Sequence, residues 1–165
     1  MTETKNSKLS SHACEVIDHW IKKYPADRKQ SAVLAALCEA QHENNGYLTI
    51  ALMDTVADYL GMPRIAVYEV ASFYSMLETK PCGRHSISVC TNISCMLCGA
   101  DEIVTHIEKK LGIKTGESTG DGRIYLKREE ECLAACCGGP MMMVDHVYHE
   151  KLTPARVDAI LEKLE

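Results

Sequence analysis

The sequence predicts an α+β chain, with a small helical bundle over residues 1–80 and an α/β domain with a mixed sheet over residues 81–165. Apolar residues recur at helical spacing throughout the first part. The segment LETKPCGR, Leu77–Arg84, has the proline, glycine and polar residues of a linker, and beyond it apolar and polar residues alternate as in strands. Two tight groups of cysteines lie in the second part, which therefore carries the candidate chemistry.

The first two predicted helices follow from their apolar spacing and from the residues that stop them. A stripe begins at Ala13 and continues to Ile21, and Tyr24-Pro25 ends that helix because proline removes a backbone donor. A second helix is predicted over residues 29–43, where Asn44-Asn45-Gly46 provides the stop. Residues 1–10, ahead of the first helix, are expected to be frayed.

The third and fourth helices have recognisable ends. Thr49 is a candidate N-cap, Gly61 supplies a left-handed stop, and Pro63 suits the first turn of the last helix of the bundle. The apolar stripes are expected to face the core, through Ile50, Met53, Val56, Ala57 and Leu60 in one helix and Val67, Tyr68, Val70, Ala71 and Tyr74 in the other. Four short helices joined by tight turns are typical of a small bundle.

The second part reads as strand, helix, four strands and a final helix. Alternation predicts the first strand, and Gly-Asp-Gly and Asp145-His146 each mark the turn of a hairpin. The predicted elements are a strand over 85–90, a helix over 99–111, strands over 113–119, 123–130, 141–144 and 147–149, and a helix opened by Thr153-Pro154.

Composition and charge exclude several classes of protein. The N-terminus has no apolar signal segment, and no apolar run approaches the roughly 18 residues that a membrane span needs. With a net charge of −5 and basic residues only in isolated pairs, the chain lacks a nucleic-acid footprint. We expect a cytoplasmic protein without direct membrane insertion.

Six cysteines in two groups, in a reducing compartment, indicate metal or redox chemistry and not a disulfide framework. Cys90 ends the first strand, Cys95 lies at or just before the next helix, and Cys132 and Cys136 lie between the two hairpins. Both groups can therefore reach the same edge of the sheet. Four thiolates converging in this way are the ligands that an iron–sulfur cluster requires. The helix beginning near Cys98 is expected to point backbone N–H groups towards this cluster.

Two other kinds of site compete for these cysteines. Cys95-Met-Leu-Cys98 is a Cys-x-x-Cys after a strand, as in thiol–disulfide oxidoreductases, but that interpretation leaves Cys90, Cys132 and Cys136 unexplained. A structural zinc site usually has paired two-residue gaps, which do not pair up here. The chain also has no Gly-x-Gly-x-x-Gly after a strand and no P-loop, so it carries no evident nucleotide site.

Three segments resemble one known family. GYLTIALMDTVADYLGMPRIAVYEVASFYSML, ISVCTNISCMLCGA and ECLAACCGGPMMMVD are similar to the family of E subunits of bacterial NADH:quinone oxidoreductase, complex I, over roughly residues 30–150. The resemblance implies a thioredoxin-like C-terminal domain with one 2Fe–2S cluster. By this resemblance, the cluster ligands would be Cys90, Cys95, Cys132 and Cys136.

The resemblance also implies partners. FMN and NADH would be bound by a larger flavoprotein subunit, and through it this chain would join the iron–sulfur peripheral arm of complex I. The helical part would serve docking. The equivalent subunit of an NAD-linked hydrogenase or formate dehydrogenase shares this module and is the main alternative. This sequence departs from the family at Ala134, where glycine is usual, and at Cys98 and Cys137, which replace other residues.

Overall fold

The computed structural model describes residues 8–128 and 132–165. Its contacts divide the chain into two compact units, Met1–Pro81 and Cys82–Glu165. Fraying is expected over residues 1–10, of which 1–7 lie outside the described residues, whereas Leu9 packs against the bundle core and Ser10 is the N-cap of the first helix. Residues 129 and 130 of the strand predicted over 123–130 also lie outside, and the described strand ends at Leu126. Within the described ranges, the longest apolar helices are too short or too polar to cross a bilayer.

The first unit is helical, as the apolar spacing predicts. The Thr49 side chain accepts the Leu52 N–H at the N-cap of one helix, and Gly61 ends that helix with φ +67°. One core holds the bundle together through fully buried side chains such as Ile17, Leu37 and Val56. The elements are α1 (Ser11–Ile21), a 3₁₀ helix (Ala26–Ala32), α2 (Val33–Glu43), α3 (Ile50–Leu60) and α4 (Arg64–Phe73).

Three details of the bundle differ from the sequence prediction. Residues 29–32 belong to the 3₁₀ helix and not to α2, because Arg28 interrupts helical geometry with φ −124° and ψ 29°. Ile50 is 67% exposed, since the buried residues of α3 begin at Leu52. Tyr74 is also exposed, because the backbone turns extended at this residue and takes it off the α4 stripe.

The second unit is a five-stranded mixed sheet with helices, which confirms the predicted fold class. The strand order is β2-β3-β1-β4-β5, in which β1 pairs parallel with β3 and antiparallel with β4. Side chains from the sheet and two helices form the core, among them Ile87, Ile107 and Val157. The elements are β1 (His85–Val89), α5 (Ile93–Leu97), α6 (Ala100–Leu111), β2 (Glu117–Ser118), β3 (Ile124–Leu126), a 3₁₀ turn (Cys136–Gly138), β4 (Met142–Val144), β5 (Val147–His149) and α7 (Pro154–Leu161).

The periodicity does not predict the helix α5 or the 3₁₀ turn at Cys136–Gly138. The helix α5 is a single turn opened by the Asn92 side chain, which accepts the Ile93 N–H. Gly99, with φ +90°, separates it from α6. Cys95 therefore lies inside a helix and not ahead of one. The predicted helix over 99–111 begins at Ala100, close to Cys98, and the direction of its N–H groups relative to the site stays a prediction.

Candidate metal centre

The register of the sheet brings the two cysteine segments together. Val89, the last residue of β1, is paired with Met142, the first residue of β4, because these strands run antiparallel. The Cys90 N–H donates to the Met141 carbonyl at 3.1 Å and extends this pairing past the strand ends. The chain leaving β1 and the chain entering β4 therefore meet at one edge of the sheet. This is the edge that the order of strands and loops predicts.

The four sulfurs predicted to meet are connected by direct contacts. The Sγ atoms of Cys132 and Cys136 are 3.5 Å apart. The Cys90 thiol is hydrogen-bonded to the thiols of both Cys95 and Cys132, so it links the two segments. Cys90 and Cys95 are buried, with 2% and 1% of their surface exposed, whereas Cys132 and Cys136 are exposed. The site thus has an inner pair and an outer pair of thiols.

Backbone donors favour the thiolate form of Cys90. Desolvation by burial opposes ionisation of this thiol, but backbone N–H groups of Leu133 and Asn92 donate to its sulfur, and its pKa is lowered overall. The Met141 N–H similarly points to the sulfur of Cys95. These donors could not be predicted from the sequence. Every residue except proline has a backbone N–H, and the residue type does not show which of these groups point at a sulfur.

Ionisation of Cys95 and Cys136, the neighbouring thiols, is disfavoured. Burial, together with the hydrogen bond and negative charge of Cys90, raises the pKa of Cys95 to about 11. The hydrogen bond and charge of Cys132 raise the pKa of Cys136. Four thiolates at this spacing repel one another unless cations lie among them. A pair of iron ions with sulfur ligands meets that requirement, so the donor set fits an iron–sulfur cluster.

The four thiols contact one another in a row. Cys95 contacts Cys90, Cys90 contacts Cys132, and Cys132 contacts Cys136. A [2Fe–2S] cluster takes four cysteine thiolates, so a set of four thiols in contact fits its requirement.

The remaining two thiols of the cysteine groups lie at the periphery. Cys98 and Cys137 are both exposed. A Cβ atom built on Gly139 would lie 3.5 Å from the Cys98 sulfur and 3.5 Å from the Cys95 sulfur, so Cys98 also borders the site. Cys137 occupies the 3₁₀ turn next to Cys136. Gly139 itself precedes Pro140 through a cis peptide bond.

A mixed sheet that presents four converging cysteines at one edge defines a small electron-transfer domain of the iron–sulfur class. The family model of the thioredoxin-like [2Fe-2S] ferredoxins matches residues 17–165. The chain therefore belongs to the thioredoxin-like [2Fe-2S] ferredoxin family, and the cofactor of this family is a binuclear cluster.

Curated relatives match almost the full chain. The E subunit of the NADH-quinone oxidoreductase of Rickettsia bellii is 40% identical over 163 residues, covering 99% of this chain and 97% of that protein. The E 2 subunit of the NADH-quinone oxidoreductase of Rhizobium meliloti is 45% identical over 148 residues, covering 90% and 86% respectively. The names of both relatives describe subunits of a multi-subunit oxidoreductase.

A solved structure shows the same fold. A chain of an NAD+-reducing [NiFe]-hydrogenase in the air-oxidised state superimposes with a TM-score of 0.68 at 22% sequence identity. The match covers 80% of this chain but only 22% of the hydrogenase chain, so this protein spans about a fifth of that chain's length. At this identity the likeness bears on the fold alone.

Proposed function

We propose that this protein is the electron-transfer subunit of an NADH-quinone oxidoreductase, and that Cys90, Cys95, Cys132 and Cys136 hold its single [2Fe–2S] cluster. The convergence of these four thiols from two segments of the chain, linked through the contacts of Cys90, is the observation that carries the proposal. The family and the relatives that match almost the full chain support the same assignment.

Residues of this chain would hold the cluster and stabilise the negative charge on its cysteine sulfurs. When bound, a binuclear cluster supplies one-electron transfer, since its irons change oxidation state singly. Cys90 and Cys95 would anchor the buried side of the centre, and the N–H groups of Asn92, Leu133 and Met141 would stabilise negative charge on their sulfurs. Cys132 and Cys136 would hold the exposed side, where a redox partner can approach.

The electron donor would be reduced FMN on a larger flavoprotein subunit that also binds NADH. The hydride of NADH carries two electrons, so a flavin is needed to pass them on one at a time. The sequence has neither a dinucleotide-binding fingerprint nor a P-loop. Through that flavoprotein the chain would join the peripheral arm of the complex, on the cytoplasmic side of the membrane.

Each unit offers an apolar surface for such docking. Beside the thiols, α5 leaves Ile93, Met96 and Leu97 exposed, the last of them at 78%. On the helical unit, α4 and the residues after it expose Ile65, Phe73 and Met76, with Phe73 at 80%. Large apolar side chains exposed in groups mark sites of protein association. We propose that the helical unit serves mainly in docking.

Relatives at 40–45% identity favour NADH-quinone oxidoreductase over an NAD-linked hydrogenase or formate dehydrogenase, because the hydrogenase likeness is at 22% identity. A free-standing thiol–disulfide oxidoreductase using Cys95 and Cys98 would leave the contacts of Cys90 with Cys132 without a role. It would be colourless and would lose activity in a C98S variant.

Anaerobic purification with iron and acid-labile sulfide assays tests the cluster. We expect about two irons and two sulfides per chain, a reddish-brown colour and an EPR signal after dithionite reduction. Serine at Cys90, Cys132 or Cys136 should lower the iron content or alter the signal, whereas C137S, the matched control, should leave both unchanged. A pale chain that stays iron-free after reconstitution would refute the proposal.

A further inference from the structure

The sulfurs of Cys98 and Cys95 both lie near Gly139. Both Sγ atoms are 3.5 Å from the position that a Cβ atom of Gly139 would occupy, so they are at most twice that distance apart. Residues three apart in a helix are neighbours on one face, which brings these two side chains together. The two thiols therefore converge on one place, the surface of Gly139 at the thiol-bearing edge of the sheet.

The local chain leaves Cys98 free to adjust. Cys98 is the C-cap of α5, with φ −93° and ψ 8°, and its neighbour Gly99 has the left-handed conformation that glycine adopts without strain. The side chain is exposed, whereas Cys95 is buried. With no side chain at Gly139, nothing from that residue separates the two sulfurs.

We propose that Cys98 is a reserve iron ligand, able to take the place of Cys95 at the cluster. This inference rests on the proposed function, because it requires the [2Fe–2S] centre to be present. In the wild-type protein Cys98 stays a free thiol, since the buried Cys95 sulfur already contacts Cys90. In a chain without Cys95, Cys98 would hold the cluster in its place as a thiolate, and the thiol proton would go to solvent. No change in oxidation state is involved.

Cys137 provides the matched comparison. It is also exposed and lies next to the proposed ligand Cys136, but adjacent residues of a chain direct their side chains differently, and it belongs to the other segment. Replacement of Cys137 should therefore make no difference to a chain that lacks Cys95. Comparing Cys98 with Cys137 therefore shows whether the position of the additional thiol matters, and not only the number of thiols.

The test uses the full chain, reconstituted anaerobically with iron and sulfide, in the wild type and in C98A, C95A, C95A/C137A and C95A/C98A. Iron per chain, the visible spectrum and the EPR signal of the reduced protein are measured. We expect wild type and C98A to be alike, and C95A and C95A/C137A to retain at least half of the wild-type iron with a shifted EPR signal. C95A/C98A should retain less than a tenth.

Alkylation followed by peptide mass spectrometry gives a second readout. Cys98 should react with iodoacetamide in the loaded wild type and be protected at least fivefold in loaded C95A, while Cys137 reacts in both. Circular dichroism checks folding, and C95S and C95S/C98S repeat the comparison with a side chain of nearly the same size.

The outcomes separate the two proposals. A wild type without iron refutes the proposed function. Equal iron content in C95A and C95A/C98A, whether both low or both high, refutes the role of Cys98 while leaving the cluster assignment intact. The same conclusion follows if neither C95A nor C95S folds with a cluster.

Discussion

Ala134 has a backbone conformation that its side chain disfavours. It lies between Cys132 and Cys136 with φ +58°, in the left-handed region where a Cβ atom crowds the carbonyl oxygen. This turn brings the Cys132 and Cys136 sulfurs to 3.5 Å. The strain is therefore located in the loop that holds the outer pair of thiols.

Replacing Ala134 with glycine should stabilise the protein. The left-handed conformation costs an alanine about 1–2 kcal/mol, which exceeds the roughly 0.4–1 kcal/mol of extra chain entropy that glycine loses. We expect A134G to raise the free energy of unfolding by roughly 0.5–1 kcal/mol, measured by urea unfolding under anaerobic conditions. A135G is the control, because Ala135 has φ −115° and should gain nothing. A destabilised A134G variant would contradict this reading of the turn.

Glu108 links the end of α6 to the following loop. Its carboxylate accepts a hydrogen bond from Lys114 Nζ at 2.8 Å and from the Thr115 N–H at 3.1 Å. Lys114 first, and then the Thr115 N–H, lower the pKa of Glu108 below its ordinary value of 4.5. A lowered pKa means that the folded state holds fewer protons than the unfolded state, so this contribution is present above pH 4.5 and lost as the pH falls through the folded value.

A K114A variant should therefore be less stable than the wild type near pH 7, and the difference should shrink progressively as the pH falls below 4.5. Urea unfolding between pH 3 and pH 7 measures it. K109A removes an equal charge from the last turn of α6 and should not show the same pH dependence. A difference that stays constant over this range would show that the Glu108 contact does not contribute.

At the scale of elements, the single-turn helix α5 combines two tasks. It buries Cys95 towards the site and exposes Ile93, Met96 and Leu97 on its other sides. An apolar surface beside a redox centre shortens the path to a docked partner and excludes water from the contact. The same short helix thus positions Cys95, a proposed ligand, beside the exposed apolar surface that we propose for docking of the flavoprotein subunit.

An L97D change should weaken that association. Leu97 is 78% exposed, so the substitution leaves the fold and the iron content unchanged, but a charge buried in an apolar interface costs about 2 kcal/mol or more. We expect the Kd for the flavoprotein subunit to rise at least tenfold in a binding titration. V147D is the comparison, because Val147 is exposed on β5 and is paired with Val144, at the end of β4 opposite to Met142 and the thiols. Equal binding by L97D and wild type would exclude α5 from the interface.

The sequence predicts the long helices well, because the buried residues of α3, α6 and α7 are apolar residues at helical spacing; Ile50, exposed at the start of α3, is an exception. Short elements such as α5 are not predicted. In α5 the apolar residues Ile93, Met96 and Leu97 face solvent, so periodicity carries no signal of the core there. The left-handed conformation of Ala134 gives no signal either, since alanine does not indicate positive φ.

The candidate site follows largely from the order of strands along the chain. The position of Cys90 at the end of a strand, and of Cys132 and Cys136 before a hairpin, predicts that the two segments meet, and the contacts of Cys90 show that they do. The sulfurs of Cys95 and Cys98 both lie close to the position that a Cβ atom of Gly139 would occupy. This could not be predicted, because Gly139 is about 40 residues away in the sequence and only the fold brings it to these two cysteines.

At the scale of the whole molecule, the chain consists of two units with separate cores. Side chains of the first unit form one cluster, and side chains of the second form another around Ile107 and Ile124. The four thiols all lie in the second unit, Cys82–Glu165. All four proposed ligands thus lie in a unit that has its own sheet and its own core.

A fragment starting near Lys80 should therefore keep the cluster but lose affinity for the flavoprotein subunit. The fragment retains every proposed ligand and the core around the sheet, so its iron content and EPR signal should equal those of the full chain. It lacks the exposed Ile65, Phe73 and Met76, and truncation of a few such side chains at an interface raises Kd by a factor of roughly 10–100. Titration of both chains against the flavoprotein subunit measures this, with an F73D variant of the full chain as the matched control for the contribution of α4. Equal affinity of fragment and full chain would show that docking resides in the thiol-bearing unit and that the helical unit has another role.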